Sequence, residues 1–381
     1  MCGICDNSYH EKKHNNFLII CCNNVKDLPE DYHYNDILCT GSVEYIPEYT
    51  HLTSLSCVML KFTTIPVLPN LINLNISISI WHDYDKRSSL SSLTNLQTIN
   101  TAIDILKSKN FKPIEIPSMP KLQNLNCSSS LIKNLNYFPS LTTLNCEYTL
   151  ITELPDMPNL TNLDMSSSLI TKLPNLPSLK NLTCLYSVIT ELPDMPNLTY
   201  LNIDSSLITK LPNLPSLKEL SCSESLIEEI PFLPQLSSLD CSDTTIKKLP
   251  HIPLLQHLII DNTDIAHVDY VYTIETLNCD NTNISRLPDK KTTCIEMVSC
   301  KESKVIMIPY CDLIEFEHDD DVFVDARYFT DMDYDYIDTK IHRNYNILVK
   351  MQKTIKRKQA LKRIMVHLIY DVSNIVIDYV I

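Results

Sequence analysis

Glycine is almost absent from the sequence: Gly3 and Gly41 are the only two among 381 residues. Loops that cradle phosphate or a dinucleotide need several glycines at fixed spacing, because the backbone must turn tightly and approach the ligand closely. The sequence therefore excludes a P-loop and a dinucleotide-binding fingerprint.

Positive charge is also scarce, since 32 Lys and Arg stand against 46 Asp and Glu and give a formal net charge of -14. Binding to the nucleic-acid backbone needs clustered cations, so we expect no specific nucleic-acid partner. The first residues lack the apolar core of a secretory signal, and no uncharged apolar run of about 18 residues occurs. We expect an intracellular protein, most simply cytoplasmic, without a membrane span.

A repeat fills most of the chain. A leucine or isoleucine recurs every 19 residues from Leu122 to Ile274. Each unit follows the pattern L-x-x-L-x-C-x-x-S-x-I-x-x-L-P-x-x-P-x, whose positions we number 1 to 19, and we name each coil by its position 1. Weaker copies around Leu52, Leu71 and Ile295 and half-copies after Ile20 and Leu38 raise the total to about fourteen coils. Such a period indicates stacked coils.

The local pattern predicts the shape of each coil. Positions 3 to 6 alternate between polar and apolar residues, which is typical of a strand with one buried face. The two prolines at positions 15 and 18 exclude a helix interior on the return, because proline lacks the amide donor. We therefore predict a solenoid with one long parallel sheet and an extended or polyproline-like outer face.

The repeat resembles the leucine-rich-repeat family, and its L-P-x-x-P return resembles repeats of bacterial effector proteins and giant-DNA-virus proteins. The resemblance covers residues 17–316 and implies a solenoid with a concave sheet. Position 9, where the family usually has Asn, departs from its pattern and carries Ser or Thr. A hydroxyl both donates and accepts, so we expect it to bond backbone groups of its own and a neighbouring coil.

The sequence divides into three predicted regions. Residues 1–16 form an N-terminal segment, and residues 17–316 form the array of coils with an insertion near 81–121. Residues 317–381 contain an acidic linker followed by a basic amphipathic helix around Ile347 to Leu368. That helix has three interpretations: a cap on the last coil, a segment that binds a calmodulin-like protein or an anionic surface, or a segment that recruits a ubiquitin-ligase component.

Cysteine is abundant, with 15 residues in the chain. Eight of them share position 6, which other coils fill with Met165, Ile203 and Ile260. Because a medium-sized apolar residue replaces cysteine there, we predict buried reduced thiols. They are Cys57, Cys127, Cys146, Cys184, Cys222, Cys241, Cys279 and Cys300.

Chemistry-bearing motifs are weak. Cys2, Cys5, His10 and His14 have the short spacings of a zinc site without the usual loop between the pairs, so zinc and chance clustering both remain open. The acidic string at Asp331 lacks the glycine and the final glutamate of a calcium loop. No nucleophile, histidine and carboxylate fall into a recognisable arrangement. We expect neither an enzyme nor a cofactor.

The outward positions 3, 5 and 7 form three columns on the concave face. From the Leu122 coil to the Ile274 coil these columns contain no Lys or Arg, and acidic residues gather toward the C-terminal half. The columns either bind a partner, for which a basic protein would suit, or keep the sheet soluble. The predicted partner-binding residues are Asp164, Leu185, Tyr186, Tyr200, Asp204, Glu219, Asp240, His257 and Asp261.

These observations predict a monomeric, non-catalytic scaffold that binds a protein through the concave face. The alternative function is a substrate-recognition adaptor whose C-terminal helices recruit a ubiquitin-ligase component. If the giant-virus resemblance holds, the compartment is the host cytoplasm.

Overall fold

The computed structural model describes residues 17–20, 25–27, 35–45, 48–60, 67–76, 90, 92–101, 116–268, 273–285, 287, 295–305, 307–308, 315–317 and 323–324. The predicted N-terminal segment, its candidate zinc ligands and the predicted C-terminal helix lie outside the described residues.

Nineteen β-strands are present in the described residues, and 17 of them form one parallel sheet. They are β1 (Phe17–Ile20), β2 (Val25–Asp27), β3 (Asp36–Tyr45), β4 (Ser54–Leu60), β5 (Asn73–Asn75), β6 (Thr98–Asn100), β7 (Asn124–Asn126), β8 (Thr143–Asn145), β9 (Asn162–Asp164), β10 (Asn181–Thr183), β11 (Tyr200–Asn202), β12 (Glu219–Ser221), β13 (Ser238–Asp240), β14 (His257–Ile259), β15 (Thr276–Asn278), β16 (Met297–Ser299), β17 (Met307–Ile308), β18 (Glu315–Glu317) and β19 (Phe323–Val324). Strands β17 and β19 pair separately.

The register of the sheet follows the 19-residue period. In β12 and β13, Glu219 pairs with Ser238 and Leu220 with Leu239, so equivalent repeat positions lie side by side. In β5 to β16 the central leucine, isoleucine or valine is buried and its two neighbours are not, as the alternation of positions 3 to 5 requires. The predicted solenoid with a parallel sheet is confirmed.

The structure places a strand inside the predicted insertion. Strand β6 pairs with β5 on one side and β7 on the other. Its coil begins at Leu96 and has the buried Thr101 at position 6, where other coils have cysteine or a larger apolar residue. The Thr101 hydroxyl donates to the carbonyl oxygen of Asn126 at 3.5 Å, so a polar side chain is accommodated there. Strand β18 adds a further pairing after β16.

One continuous core runs through the described coils. The eight position 6 cysteines predicted to be buried are all buried, and none of the eight is in a disulfide. Burial raises the pKa of Cys127 and of Cys184 to about 12. Because the thiolate is the reactive form, these thiols are held in their unreactive, protonated state.

The proline-rich outer face is joined between coils by side chains. Proline at position 18 cannot donate a backbone hydrogen bond, but its carbonyl oxygen can accept one. The position 19 side chain of the next coil supplies the donor: Ser140 donates to Pro120 O at 2.7 Å and Asn159 to Pro139 O at 2.8 Å. The asparagines and serines between the repeats thus hold the coils together where backbone pairing is lost.

The hydroxyl at position 9 closes the turn after the strand in several coils, whereas the buried hydroxyls of Ser168, Ser187 and Ser206 make no hydrogen bond. Thr149 donates to Cys146 O at 2.7 Å, and Thr244 donates to Cys241 O at 2.6 Å. Both bonds span three residues of one coil. The expected bond within a coil is confirmed at these positions, whereas the described hydroxyls of this ladder donate to no neighbouring coil.

Each of these turns contains a residue with a left-handed backbone at position 8, and none of the residues is glycine. The backbone N–H of this residue donates to position 7 of the next coil, as Glu224 does to Ser242 O at 3.0 Å. A left-handed conformation costs an ordinary L-residue about 1–2 kcal/mol. The residues are Ser129, Tyr148, Ser167, Tyr186, Ser205, Glu224, Asp243, Asn262, Asn281 and Glu302.

We expect Glu224→Gly to raise the free energy of unfolding by about 0.5–1 kcal/mol, because glycine has no Cβ penalty at φ 54°. Glu228 provides a matched control: it is an exposed glutamate of the same coil whose φ is not positive. Glu228→Gly should destabilise the protein by roughly that amount, since glycine gains freedom in the unfolded chain. Urea unfolding of both variants gives the comparison, and equal destabilisation would show that the turn carries no strain.

Candidate functional site

The concave face consists of the three outward columns at positions 3, 5 and 7. Tyr200, Glu219 and His257 occupy position 3 of β11, β12 and β14, and Glu219 and His257 are exposed. Side chains in this column contact the next coil, as His257 Nδ1 does with Thr276 Oγ1 at 3.0 Å. Position 3 therefore gives the most accessible polar groups of this face.

Position 5 has a structural role where it is Asn or Asp. Asp240 Oδ1 accepts hydrogen bonds from Ser242 N at 3.0 Å and from the Ser242 hydroxyl at 2.7 Å. Asp164 does the same for Ser166, at 3.1 and 2.8 Å. These side chains satisfy the backbone N–H that leaves the strand, as in an Asx turn. Both acids were predicted to bind a partner, and the structure places them in such turns.

In other coils, a position 7 acid of the preceding coil accepts this bond instead, even where position 5 is Asn278. Asp204 Oδ1 accepts from the Ser221 hydroxyl at 2.7 Å and from Ser223 N at 2.9 Å, both in the next coil. Asp261 Oδ1 accepts from Asp280 N at 2.9 Å in the same manner. The acids at position 7 thus bridge coils, a role that the sequence pattern does not reveal.

Crowding of carboxylates changes their acidity. The pKa of Asp261 is raised to about 7, first by burial and next by the charge of Asp280. Burial also raises the pKa of Asp204 and of Glu147. A raised carboxyl pKa means that the ionised form is disfavoured in the folded chain, so a nearby cation would stabilise it. The charges of Asp280 and Asp240, which contribute to the raised pKa of Asp261, show that acidic groups lie close together in the C-terminal half of the concave face.

The remaining predicted residues lie close to this region. Leu185 is half-buried at position 7, and its backbone N–H donates to the Ser166 hydroxyl at 3.2 Å. Tyr186 lies in the left-handed turn rather than on the strand. The sequence-based selection missed Ile259 and Met297, which expose apolar surface in β14 and β16. The alternation of inward and outward positions along the strands was sufficient to predict that both side chains point outward. Lys301 ends the cation-free run, at position 7 of the Ile295 coil.

Within the described ranges, no three His, Cys, Asp or Glu residues are grouped so that they could hold a metal ion. The acids of the concave face are spread along the solenoid axis and accept bonds from backbone N–H groups. Such an arrangement suits recognition of an extended cationic surface better than coordination of one ion.

The repeat, the parallel register and the buried leucine ladder define a leucine-rich-repeat solenoid. No protein-family model matches the sequence, and no curated protein is significantly similar to it. Among solved structures, the chain is similar to YopM, a leucine-rich effector protein from Yersinia pestis, with a TM-score of 0.64 and 21% identity over 80% of this chain and 88% of that chain. YopM from Yersinia enterocolitica matches with a TM-score of 0.37 and 20% identity over 81% and 91%. The first likeness supports the fold alone. No helix in the described part of the chain is long and apolar enough to cross a membrane.

Proposed function

We propose that the chain is a non-catalytic scaffold that binds a basic protein segment along the C-terminal half of its concave face. The observation that carries the proposal is the segregation of charge. From the Leu122 coil to the Ile274 coil, lysines occupy the flanks, as Lys172, Lys210 and Lys248 do, whereas none occupies positions 3, 5 or 7. A face that only needed solubility would accept either sign of charge.

The geometry of the acids supports the same partner. Both bonds that Asp240 accepts go to Oδ1, so its Oδ2 meets no donor among the described residues. Glu219 is exposed one coil before it. A lysine- or arginine-rich segment lying across these coils would pair with both and would relieve the crowding around Asp261. Charge of this kind mainly sets the association rate and the specificity.

The test is a quantitative pull-down with mass spectrometry on the full chain. Tyr200→Ala/Glu219→Lys changes two position 3 side chains without removing a backbone acceptor. The charge control is Asp156→Lys, at the exposed position 16 of the Leu141 coil. We expect basic proteins to be depleted at least about tenfold by the concave variant and retained by the control, and retained less as salt increases. Equal retention by both variants would reject the concave face as the binding surface.

A further inference from the structure

An uninterrupted aliphatic column runs along one flank of the solenoid. Position 10 points away from the core between the left-handed turn and the buried isoleucine at position 11. In six consecutive coils it carries a branched aliphatic residue, and the next coil has Thr245 in its place. We call this column the aliphatic stripe; its members are Leu131, Leu150, Leu169, Val188, Leu207 and Leu226.

Four of the six residues of the aliphatic stripe are exposed to solvent, whereas Leu131 and Leu150 are half-buried. Leu169 and Val188 are each 40% exposed, and exposure rises to 51% at Leu226. The neighbouring position 12 is an exposed threonine in the four central coils, namely Thr152, Thr171, Thr190 and Thr209. Single exposed leucines are common on protein surfaces, whereas an aligned run beside uncharged neighbours marks an interaction surface.

Position 13 adds a column of alternating charge beside the stripe. Its members are exposed and read Glu153, Lys172, Glu191, Lys210 and Glu229 in successive coils. The backbones of Glu153 and Lys172 are bridged in parallel, so the coils stay in register on this flank as well. The charges therefore repeat along a straight line at about 4.8 Å per coil.

The two columns are symmetric about the same two-fold axis. A two-fold axis lying across the flank, between the Leu160 and Leu179 coils, reverses the coil order and places each column against itself. Leu169 then faces Val188 of the second copy, Leu150 faces Leu207, and Leu131 faces Leu226. The same axis places Lys172 opposite Glu191 of the second copy and Glu153 opposite Lys210. At the outer coils, Lys133 at position 12 faces Glu228.

We propose that the aliphatic stripe is the interface of a two-fold symmetric dimer in which the second copy of this chain lies antiparallel on the same flank. This differs from the monomer expected from the sequence. An isologous interface must be self-complementary, and few surfaces are. Here the apolar column and the charge column are self-complementary about one axis. A shift of the axis by half a coil would place like charges opposite each other, so the charge column also selects the register.

The size of the flank indicates the strength of the dimer. Five coil steps give about 24 Å of length, and positions 8 to 13 give about 16 Å of width. The footprint is then about 380 Å² on each copy and roughly 770 Å² in total, which is the size of a weak, transient interface. We therefore expect a dissociation constant of roughly 10–100 micromolar, so that the dimer forms and separates with concentration.

Sedimentation of the full chain over a dilution series tests the proposal. We expect the wild-type mass to rise from 43.7 kDa toward twice that value with concentration. Lys172→Glu alone and Glu191→Lys alone each place like charges opposite each other twice and should weaken the dimer at least about tenfold. A mixture of the two variants restores both attractive pairs, so the mixture should dimerise although each component alone does not.

Lys248→Glu is the matched control. It reverses the same repeat position in the coil of Thr245, beyond the aliphatic stripe, and should dimerise like the wild type. Restored association in the mixture also shows that both variants are folded. A wild-type chain that stays at 43.7 kDa up to about millimolar concentration would overturn the proposal. Variants that dimerise like the wild type, or a mixture that stays monomeric, would also overturn it.

Discussion

Replacing Phe138 with alanine is expected to lower the free energy of unfolding by about 4 kcal/mol. Phe138 is completely buried and has the largest of the fully buried side chains in the described core. It occupies position 17 of its coil, in the stack where neighbouring coils place the buried Met119 and Met157. Removal of the ring leaves a cavity between two coils that the proline-bounded return cannot collapse to fill, because proline fixes the backbone on one side.

Phe138→Met is the control for this substitution. Methionine is the residue that the next coil uses at position 17, and it adapts its shape to irregular space, so we expect a loss below about 1.5 kcal/mol. Urea unfolding measures the difference, and hydrogen exchange locates it, because a solenoid loses stability mainly at the altered coil and its neighbours. If Phe138→Ala and Phe138→Met lower the free energy of unfolding equally, then position 17 does not support the core as its burial indicates.

Phe138 also shows where sequence reasoning was incomplete. The leucine at position 4 is the centre of a three-residue strand, and the cysteine at position 6 continues the alternation of faces that a strand requires. Position 17 lies in an irregular return, between two prolines in most coils and before Pro139 in the case of Phe138, and no periodicity there fixes the direction of a side chain. It holds Phe138, Met157, Leu176, Met195 and Leu214 in successive coils, all buried. The shared apolar character was visible, but the face was not predictable from the pattern.

The residues of the concave face also include features that the sequence pattern predicts and features that it does not. The alternation of polar and apolar residues correctly assigned Glu219 and Asp204 to the outward columns. Neither the sign of their charge nor their spacing distinguishes their roles. Their difference arises from the turn after the strand. The left-handed residue at position 8 directs the chain so that the N–H of position 7 can meet an acid of its own coil or of the preceding one. The residue type at position 5 does not decide this alone, because Asn278 could accept and yet Asp280 N–H donates to Asp261 of the preceding coil.

Asp204→Lys and Glu219→Lys are therefore expected to behave differently although both reverse one charge on the concave face. Asp204→Lys should lower the free energy of unfolding by about 3 kcal/mol, because it leaves Ser223 N–H and the Ser221 hydroxyl without their acceptor and places an ammonium group in a largely desolvated position. Glu219 is exposed and accepts no such bond, so Glu219→Lys should change stability by less than about 0.5 kcal/mol.

Asp204→Asn separates the hydrogen bond from the charge. The amide oxygen can still accept from Ser223 N–H. The substitution removes the Asp204 carboxyl group, whose pKa is raised by burial and by the charge of Asp240. The free energy of unfolding of Asp204→Asn should therefore lie within about 0.5 kcal/mol of the wild-type value at neutral pH. Urea unfolding of the three variants measures these differences. A loss in Asp204→Asn as large as in Asp204→Lys would mean that the ionised carboxylate itself stabilises the fold. A loss in Glu219→Lys of that size would mean that position 3 also bridges the coils, and the binding test would then need other residues of the concave face.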